Sequence, residues 1–113
     1  QSDYIRSALG DPAIAEKLRG ILTDNAGHLM RRARDEDAVR EQSPPAVNRL
    51  AELQMPTLLL VGGADTPLIR AMADTLATNV PRLSRIDLPG VGHMINLEAE
   101  QTFWREIVAF MSR

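Results

Sequence analysis

Apolar and polar residues alternate along the second half of the chain in a pattern that predicts strands separated by helices. Thr57 to Val61 is a short apolar run between a proline and two glycines, which is typical of a strand buried on both faces in a parallel sheet. Thr66-Pro67 then predicts the start of a helix, which we expect to end at Pro81. The apolar stripe of this helix is Ile69, Met72, Ala73, Leu76, Ala77 and Val80.

The residues after this helix predict a second strand and a final helix. The stretch "LSRIDL", residues 83–88, reads as a strand in which Ser84, Ile86 and Leu88 share one face. A glycine-rich loop follows, and then a helix with an apolar stripe of Phe103, Trp104, Ile107, Val108 and Met111. Because two strands joined by a helix form a right-handed parallel crossover, this order predicts an α/β fold.

The first part of the chain, residues 1–43, has a different pattern and predicts short helices without a strand. Asp11-Pro12 indicates one helix start, and Thr23-Asp24 indicates another. Ser43-Pro44-Pro45 interrupts the pattern, so we divide the chain into a helical segment, 1–43, and an α/β segment, 44–113. The α/β segment begins with a predicted short amphipathic helix over residues 46–53.

Composition narrows the classes of protein to which the chain could belong. It has 113 residues, of which 44% are hydrophobic and 25% charged, a balance typical of a globular domain. The net charge of −2 and the mixed-sign run "RRARDEDAVRE" give no electrostatic basis for binding nucleic acid or an anionic membrane. The absence of cysteine excludes disulfides and thiolate metal sites and fits a reducing compartment, so we expect a cytoplasmic location and no cofactor or metal.

The two predicted strands bring one carboxylate and one imidazole to the same edge of the sheet. The loop over residues 62–66 carries Asp65 and the loop over residues 89–97 carries His93, and both loops follow the carboxyl ends of parallel strands. An Asp beside a His fixes the imidazole tautomer and stabilises the imidazolium, so that the ring can act as a general base. Taken alone, Asp65 is compatible with a turn or a helix cap, and His93 with a surface loop; together they favour catalysis.

Nearby residues admit structural as well as functional interpretations. Gly90 and Gly92 suit a sharp corner that turns His93 across the sheet edge. Glu98 either caps the last helix or tethers the histidine loop, and we favour a structural role. His28 lies in a helical pattern without a comparable setting, so we expect it to be structural or exposed to solvent. The "VGGAD" turn lacks both the dinucleotide-binding glycine pattern and the lysine of a phosphate-binding loop, which argues against nucleotide binding.

The stretches "MPTLLLVGGADTP" and "LPGVGHMINLEAEQTFWREIVAFM" closely resemble the C-terminal part of the α/β-hydrolase family. Matched position by position, Gly62 and Asp65 occupy the family's G-x-x-D pattern, and Gly90, Gly92 and His93 occupy G-x-G-H. Residues 96–98 match N-L-E, and Phe103 and Phe110 fall on the last helix. The resemblance covers residues 44–113 and implies that Asp65 and His93 are the acid and the histidine of a catalytic triad. By position and composition, residues 1–43 resemble the end of the variable cap segment that members of this family carry above the active site.

The chain departs from the family pattern in one respect that affects activity. The family places its nucleophile on a G-x-S-x-G turn before the acid, and none of the serines (Ser2, Ser7, Ser43, Ser84 and Ser112) lies between glycines after a strand. The smaller departure is Glu100-Gln101, where the family often has Pro-Glu. Since the chain opens on Gln1 rather than Met, we expect a fragment, a processed chain or an expressed segment.

Two classes of function remain open at this point. The resemblance implies the C-terminal part of a serine-type hydrolase that acts on a small ester, lactone or related acyl substrate, inactive without its nucleophile. The alternative is a non-catalytic interaction module, or a pseudo-enzyme piece that pairs with another chain. Either way, the sheet is small and its helices are amphipathic, so we expect the isolated chain to self-associate.

Overall fold

The computed structural model describes residues 5–32 and 43–113, and these form helices around a parallel two-stranded sheet. The elements in chain order are α1 (Arg6–Leu9), α2 (Pro12–Arg32), a 3₁₀ helix (Ala46–Glu52), β1 (Thr57–Gly62), α3 (Pro67–Asn79), β2 (Leu83–Leu88), α4 (Ile95–Glu98) and α5 (Glu100–Met111). Most of the mixed-sign run "RRARDEDAVRE" lies outside the described residues.

The sheet has the parallel topology that the sequence predicts. Thr57 is opposite Leu83 and Gly62 is opposite Leu88, and α3 connects the two strands. The backbone amide of Thr57 donates to the carbonyl of Arg82 at 2.9 Å, which extends the pairing by one bond at the start of the sheet. The α/β class is therefore confirmed for the described residues.

The prediction that β1 is buried on both faces is wrong for most of its length. Leu58, Leu59 and Leu60 are half-buried, and only the end of the strand, from Val61 to Gly62, is fully buried. The reason is that, within the described ranges, β1 pairs with β2 alone and is contacted by α3, α4 and α5, which leave part of its surface uncovered. An apolar run indicates what a strand can bury, and the number of neighbouring elements decides how much it does bury.

Helix α3 begins as its sequence predicts. The hydroxyl oxygen of Thr66 accepts a hydrogen bond from the amide of Ile69 at 3.4 Å, and Pro67 occupies the first turn, where its missing amide proton costs nothing. Ala73 is buried within the stripe, and Val80 is buried just after the helix end. Met72, however, is 55% exposed, so the apolar stripe is wider than the surface against which α3 packs.

Helix α2 begins at the predicted place but continues past its predicted end. The carboxylate of Asp11 accepts the amide protons of Ala13 at 2.9 Å and Ile14 at 3.3 Å, as an N-terminal cap does. The second helix start predicted at Thr23-Asp24 is wrong, because α2 runs through it to Arg32. The Thr23 hydroxyl instead donates to the carbonyl of Arg19 at 2.9 Å, an alternative that a threonine inside a helix often adopts.

The predicted helix over residues 46–53 is a 3₁₀ helix that ends at Glu52 and buries none of its residues. Its apolar side contributes to a groove against α3, where Val47 and Leu50 approach Met72 and Leu76. Short 3₁₀ segments are common connectors because their tighter winding does not extend far. This segment therefore covers part of α3 and adds little to the core.

An ion-pair network on the exposed side joins the crossover helix to the second strand. The Arg85 guanidinium donates to the Asp87 carboxylate at 2.8 Å within β2 and also contacts Asp74 on α3. These bonds raise the pKa of Arg85 above its already high ordinary value, and the bond to Asp87 has the larger effect. The arginine therefore keeps its charge at any physiological pH and marks where α3 lies over β2.

The core is small and made largely of small side chains. Among the described residues, the buried apolar ones are Ala8, Ala15, Leu18, Val61, Ala73, Val80 and Leu88. One charged residue of the described ranges, Asp65, is also buried, at 9% exposure. No helix in the described ranges is both long enough and apolar enough to cross a membrane.

The approach of β1 to the histidine loop gives a stability prediction with an internal control. A Cβ at Gly62 would lie 2.1 Å from the carbonyl oxygen of Gly92 and 2.6 Å from that of Val91, and backbone atoms cannot rotate away. We expect Gly62→Ala to lower the free energy of unfolding by about 1–3 kcal/mol, as overpacking does.

Gly20→Ala is the matched control, because Gly20 lies inside α2 with nothing within 4 Å of its added Cβ. We expect it to raise the free energy of unfolding by up to about 1 kcal/mol through helix propensity. Urea denaturation of both variants measures the difference. Equal stability of Gly62→Ala and the parent chain would contradict the close approach.

Candidate active site

Backbone hydrogen bonds join the two loops that leave the carboxyl edge of the sheet. The amide of Gly63 donates to the carbonyl of Leu88 at 2.8 Å, and the amide of Ala64 donates to the carbonyl of Val91 at 2.9 Å. These bonds continue the pairing of β1 and β2 beyond the strands themselves. The loop that carries Asp65 is thus held directly against the loop that carries His93.

Asp65 and His93 are in contact, as the parallel arrangement predicts. Nδ1 of His93 lies 2.8 Å from Oδ2 of Asp65, across 28 residues of sequence. The Asp65 side chain is 3% exposed and the His93 side chain 39% exposed, so the carboxylate lies beneath the imidazole. The predicted proximity is confirmed, and the catalytic role of the pair stays a prediction.

The second carboxylate oxygen of Asp65 is also satisfied, and this fixes the direction of the group. The backbone amide of Thr66 donates to Oδ1 at 2.7 Å, which leaves Oδ2 directed at the imidazole. An ionised carboxylate only accepts hydrogen bonds, so the proton of the bond to His93 belongs to Nδ1. In the neutral ring, Nε2 then carries the lone pair, which is the arrangement a general base requires.

Glycine is required at the corner that presents His93. Gly90 has φ of +73°, in the left-handed region that side chains with a Cβ rarely adopt. Gly92 is buried, and its backbone approaches both Gly62 and the carboxylate of Glu98. The prediction that these glycines allow a sharp turn before the histidine is therefore confirmed in structural terms.

Glu98 tethers the histidine loop rather than capping the last helix. Its carboxylate accepts the amide proton of Gly92 at 2.9 Å through Oε2 and that of Met94 at 3.1 Å through Oε1. The residue before α5, Ala99, has no side-chain cap bond. Of the two structural roles open at the sequence level, the structure assigns the tether.

A cavity of about 430 Å³ opens in front of the imidazole. Its lining combines both loops with the N-terminal segment, through Arg6, Ser7, Ala64, Asp65, Thr66, Pro67, Gly92 and His93. This volume falls within the roughly 300–1,000 Å³ that is typical of small-molecule sites. The cavity is therefore large enough for a small molecule beside His93.

Sequence reasoning did not identify Arg6 and Ser7 as part of this cavity. Both lie on α1, a helix of four residues that is too short to show a hydrophobic period. Their position depends on how residues more than 80 positions apart pack together, as the bond of Ser7 with Glu98, 91 residues away, illustrates. No local sequence signal marks such a contact.

His28 lies within α2, and its side chain is outside the described residues, so the expectation that it is structural or exposed to solvent stays a prediction. Across residues 5–32 and 43–113, no group of three or more His, Cys, Asp or Glu side chains has the geometry to hold a metal ion.

Comparisons with protein-family profiles, with curated proteins and with solved structures found no match to this chain.

The two acceptor positions of Asp65 give a sharp prediction for its isosteric amide. In Asp65→Asn, the amide of Thr66 still needs an acceptor, so the asparagine oxygen should take the Oδ1 position and its NH₂ group should face Nδ1 of His93. That group donates, so the imidazole must accept through Nδ1 and carry its proton on Nε2.

We therefore expect nitrogen NMR of the neutral imidazole to show the Nδ1–H tautomer in the parent chain and the Nε2–H tautomer in Asp65→Asn. His28→Gln provides a background with a single histidine signal. An unchanged tautomer in Asp65→Asn would show that the carboxylate does not determine the protonation of the ring.

Proposed function

We propose that Asp65 and His93 are the acid and the base of a serine-type α/β-hydrolase that acts on a small ester, lactone or related acyl compound. The observation that carries this proposal is the 2.8 Å bond between Nδ1 of His93 and the buried carboxylate of Asp65 at the carboxyl edge of a parallel sheet. A buried acid that fixes the tautomer of a more exposed imidazole is the arrangement from which hydrolytic triads are built.

In the proposed reaction, His93, supported by Asp65, first accepts a proton and later returns it. Nε2 of His93 accepts the proton of a nucleophilic hydroxyl as its oxygen attacks the acyl carbon, and Asp65 stabilises the resulting imidazolium. When the bond to the leaving oxygen breaks, the imidazolium returns that proton to the leaving group. Water then repeats the cycle on the acyl-enzyme, with His93 again acting as base.

The proposal requires a nucleophile that the described serines do not supply. Ser7 lines the cavity, but its hydroxyl donates to the Glu98 carboxylate at 2.6 Å. Ser43, Ser84 and Ser112 are absent from the cavity lining. In the proposed enzyme, the nucleophilic hydroxyl and the amide donors for the developing oxyanion come from outside residues 5–32 and 43–113, and we expect no triad-based turnover from the described residues alone.

The unpaired edges of the sheet support the proposal that β1 and β2 belong to a larger sheet. Within the described residues, β1 and β2 each pair on one side only, and β1 is half-buried despite its apolar sequence. Further parallel strands and their helices would cover these surfaces, and α/β sheets are covered on both faces for this reason. We infer that residues 44–113 form the C-terminal part of an α/β-hydrolase core and that residues 1–43 belong to its cap.

The activity test uses the protein that the natural reading frame containing this chain encodes. It compares substitution of His93 with substitution of His28. We expect that protein to hydrolyse p-nitrophenyl acetate or a small lactone, and His93→Gln to lower kcat by about 10⁴-fold or more because the base is lost. His28→Gln should retain activity. Circular dichroism of both variants checks that the fold is intact.

Retained turnover in a folded His93→Gln variant would contradict the role of His93. Absence of hydrolysis of any of these acyl substrates by the parent protein would contradict the proposed function.

The second candidate function is an interaction module, and the surface of α5 favours it. Phe103, Ile107 and Phe110 approach the strand residues Leu58 to Leu60. On another side of the same helix, Trp104 and Val108 form a stripe that is 56% and 61% exposed. The stripe ends at Met111, which is 76% exposed and also borders the groove that faces the strand. A helix that is apolar on two sides normally packs between two layers, so this stripe is a surface for association.

We expect the 113-residue chain to self-associate through this stripe. Light scattering should give a mass above that of a monomer as concentration rises, and Val108→Gln should shift the distribution towards monomer. Ala109→Gln, on an exposed part of α5 outside the stripe, is the matched control. A compact monomer at high concentration would contradict this candidate.

A further inference from the structure

The carboxylate of Glu98 collects hydrogen bonds from two distant parts of the chain. Oε2 accepts the hydroxyl proton of Ser7 at 2.6 Å and the amide proton of Gly92 at 2.9 Å, while Oε1 accepts the amide proton of Met94 at 3.1 Å. Two of these donors belong to the histidine loop and one to α1. Both carboxylate oxygens are therefore engaged.

The two loop donors lie on either side of His93 in the sequence. The bond to the Met94 amide fixes the peptide plane that directly follows His93, and the bond to the Gly92 amide fixes the plane between Val91 and Gly92. These two planes lie on either side of the backbone from Gly92 to His93, so together they restrict the direction in which the His93 side chain leaves it. Glu98 thus acts on the imidazole through the backbone, whereas Asp65 acts on it directly.

Helix α1 approaches the same point very closely. A Cβ on Gly92 would lie 2.7 Å from Cβ of Ser7, and about as close to the carboxylate oxygens of Glu98, at 3.0 and 3.1 Å. The next residue of α1, Ala8, is fully buried at 0% exposure. The contact of Ser7 with Glu98 is therefore part of a packed junction between α1 and the histidine loop.

We propose that Glu98 is a positioning residue for His93, and that Ser7 connects α1 to it so that docking of α1 steadies the imidazole. The catalytic meaning of this inference rests on the proposed function, whereas its structural content can be measured on the chain itself. The Ser7 hydroxyl serves as a donor in this junction, and the carboxylate that receives it already accepts two amides.

Glu98→Gln tests the positioning role because an amide cannot replace both acceptor oxygens. If the glutamine oxygen faces Gly92 and Ser7, its NH₂ group meets the amide proton of Met94; the reverse orientation places NH₂ against Gly92. In either case one loop amide loses its acceptor. We expect hydrogen exchange at Gly92 or Met94 to accelerate about tenfold or more, because a hydrogen bond to a charged group contributes more stabilising free energy than a bond between neutral groups.

The imidazole provides the readout that a purely structural role would not change. In Glu98→Gln we expect the nitrogen signals of His93 to report a mixture of tautomers, because the ring no longer faces Asp65 in every molecule. Ser7→Ala keeps both loop bonds, so it should give a smaller, few-fold acceleration of exchange at Gly92. Ser112→Ala, which removes a bond to the carbonyl of Val108 far from the site, should change neither measurement.

The outcomes separate this inference from the proposed function. Glu98→Gln with parent-like exchange and parent-like His93 signals would overturn the positioning role, even if Asp65→Asn inverts the tautomer. Parent-like behaviour of Ser7→Ala would overturn the connection to α1, and this variant keeps the test decisive if Glu98→Gln does not fold. If Asp65→Asn leaves the tautomer of the His93 imidazole unchanged, that result would instead count against the proposed function.

Discussion

The parallel pairing of β1 with β2 determines where the two loops of the candidate site lie. Because both strands run in the same direction, their following loops leave the sheet at one edge, and bonds such as that of Ala64 to Val91 at 2.9 Å hold these loops together. Antiparallel pairing would place the two loops at opposite ends of the sheet. The contact between Asp65 and His93 is therefore a consequence of strand direction before it is a feature of any loop.

Burial of Asp65 makes this contact specific. A carboxylate removed from water is costly unless hydrogen bonds satisfy it, and here the amide of Thr66 and the ring of His93 do so from two directions. The same Thr66 caps α3 with its hydroxyl, so the start of the helix and the orientation of the acid depend on one residue. Glu98 performs a comparable service for the backbone of the histidine loop. The imidazole is the most exposed member of this group, and it faces the cavity.

The sequence predicted best those features that depend on short-range patterns. The strand over residues 83–88, the cap at Thr66 and the contact of Asp65 with His93 follow from apolar runs, turn chemistry and the crossover rule. Helix α4 was missed because four residues carry no period, and the contact of Ser7 with the site was missed because it depends on tertiary packing. The incomplete burial of β1 was missed because the number of neighbouring strands is not written in the strand itself. The contact between Asp65 and His93 was thus more predictable than the surroundings of that contact.

The distance between Cγ of Asp65 and Nδ1 of His93 tests the central claim most directly. Dipolar recoupling by solid-state NMR measures it in the 113-residue chain with labelled aspartate and histidine, using His28→Gln to leave one imidazole. We expect strong coupling that is lost in Asp65→Ala, as a 2.8 Å bond between Oδ2 and Nδ1 requires. Absence of coupling in the folded parent chain would contradict the juxtaposition on which both the site and its proposed chemistry depend.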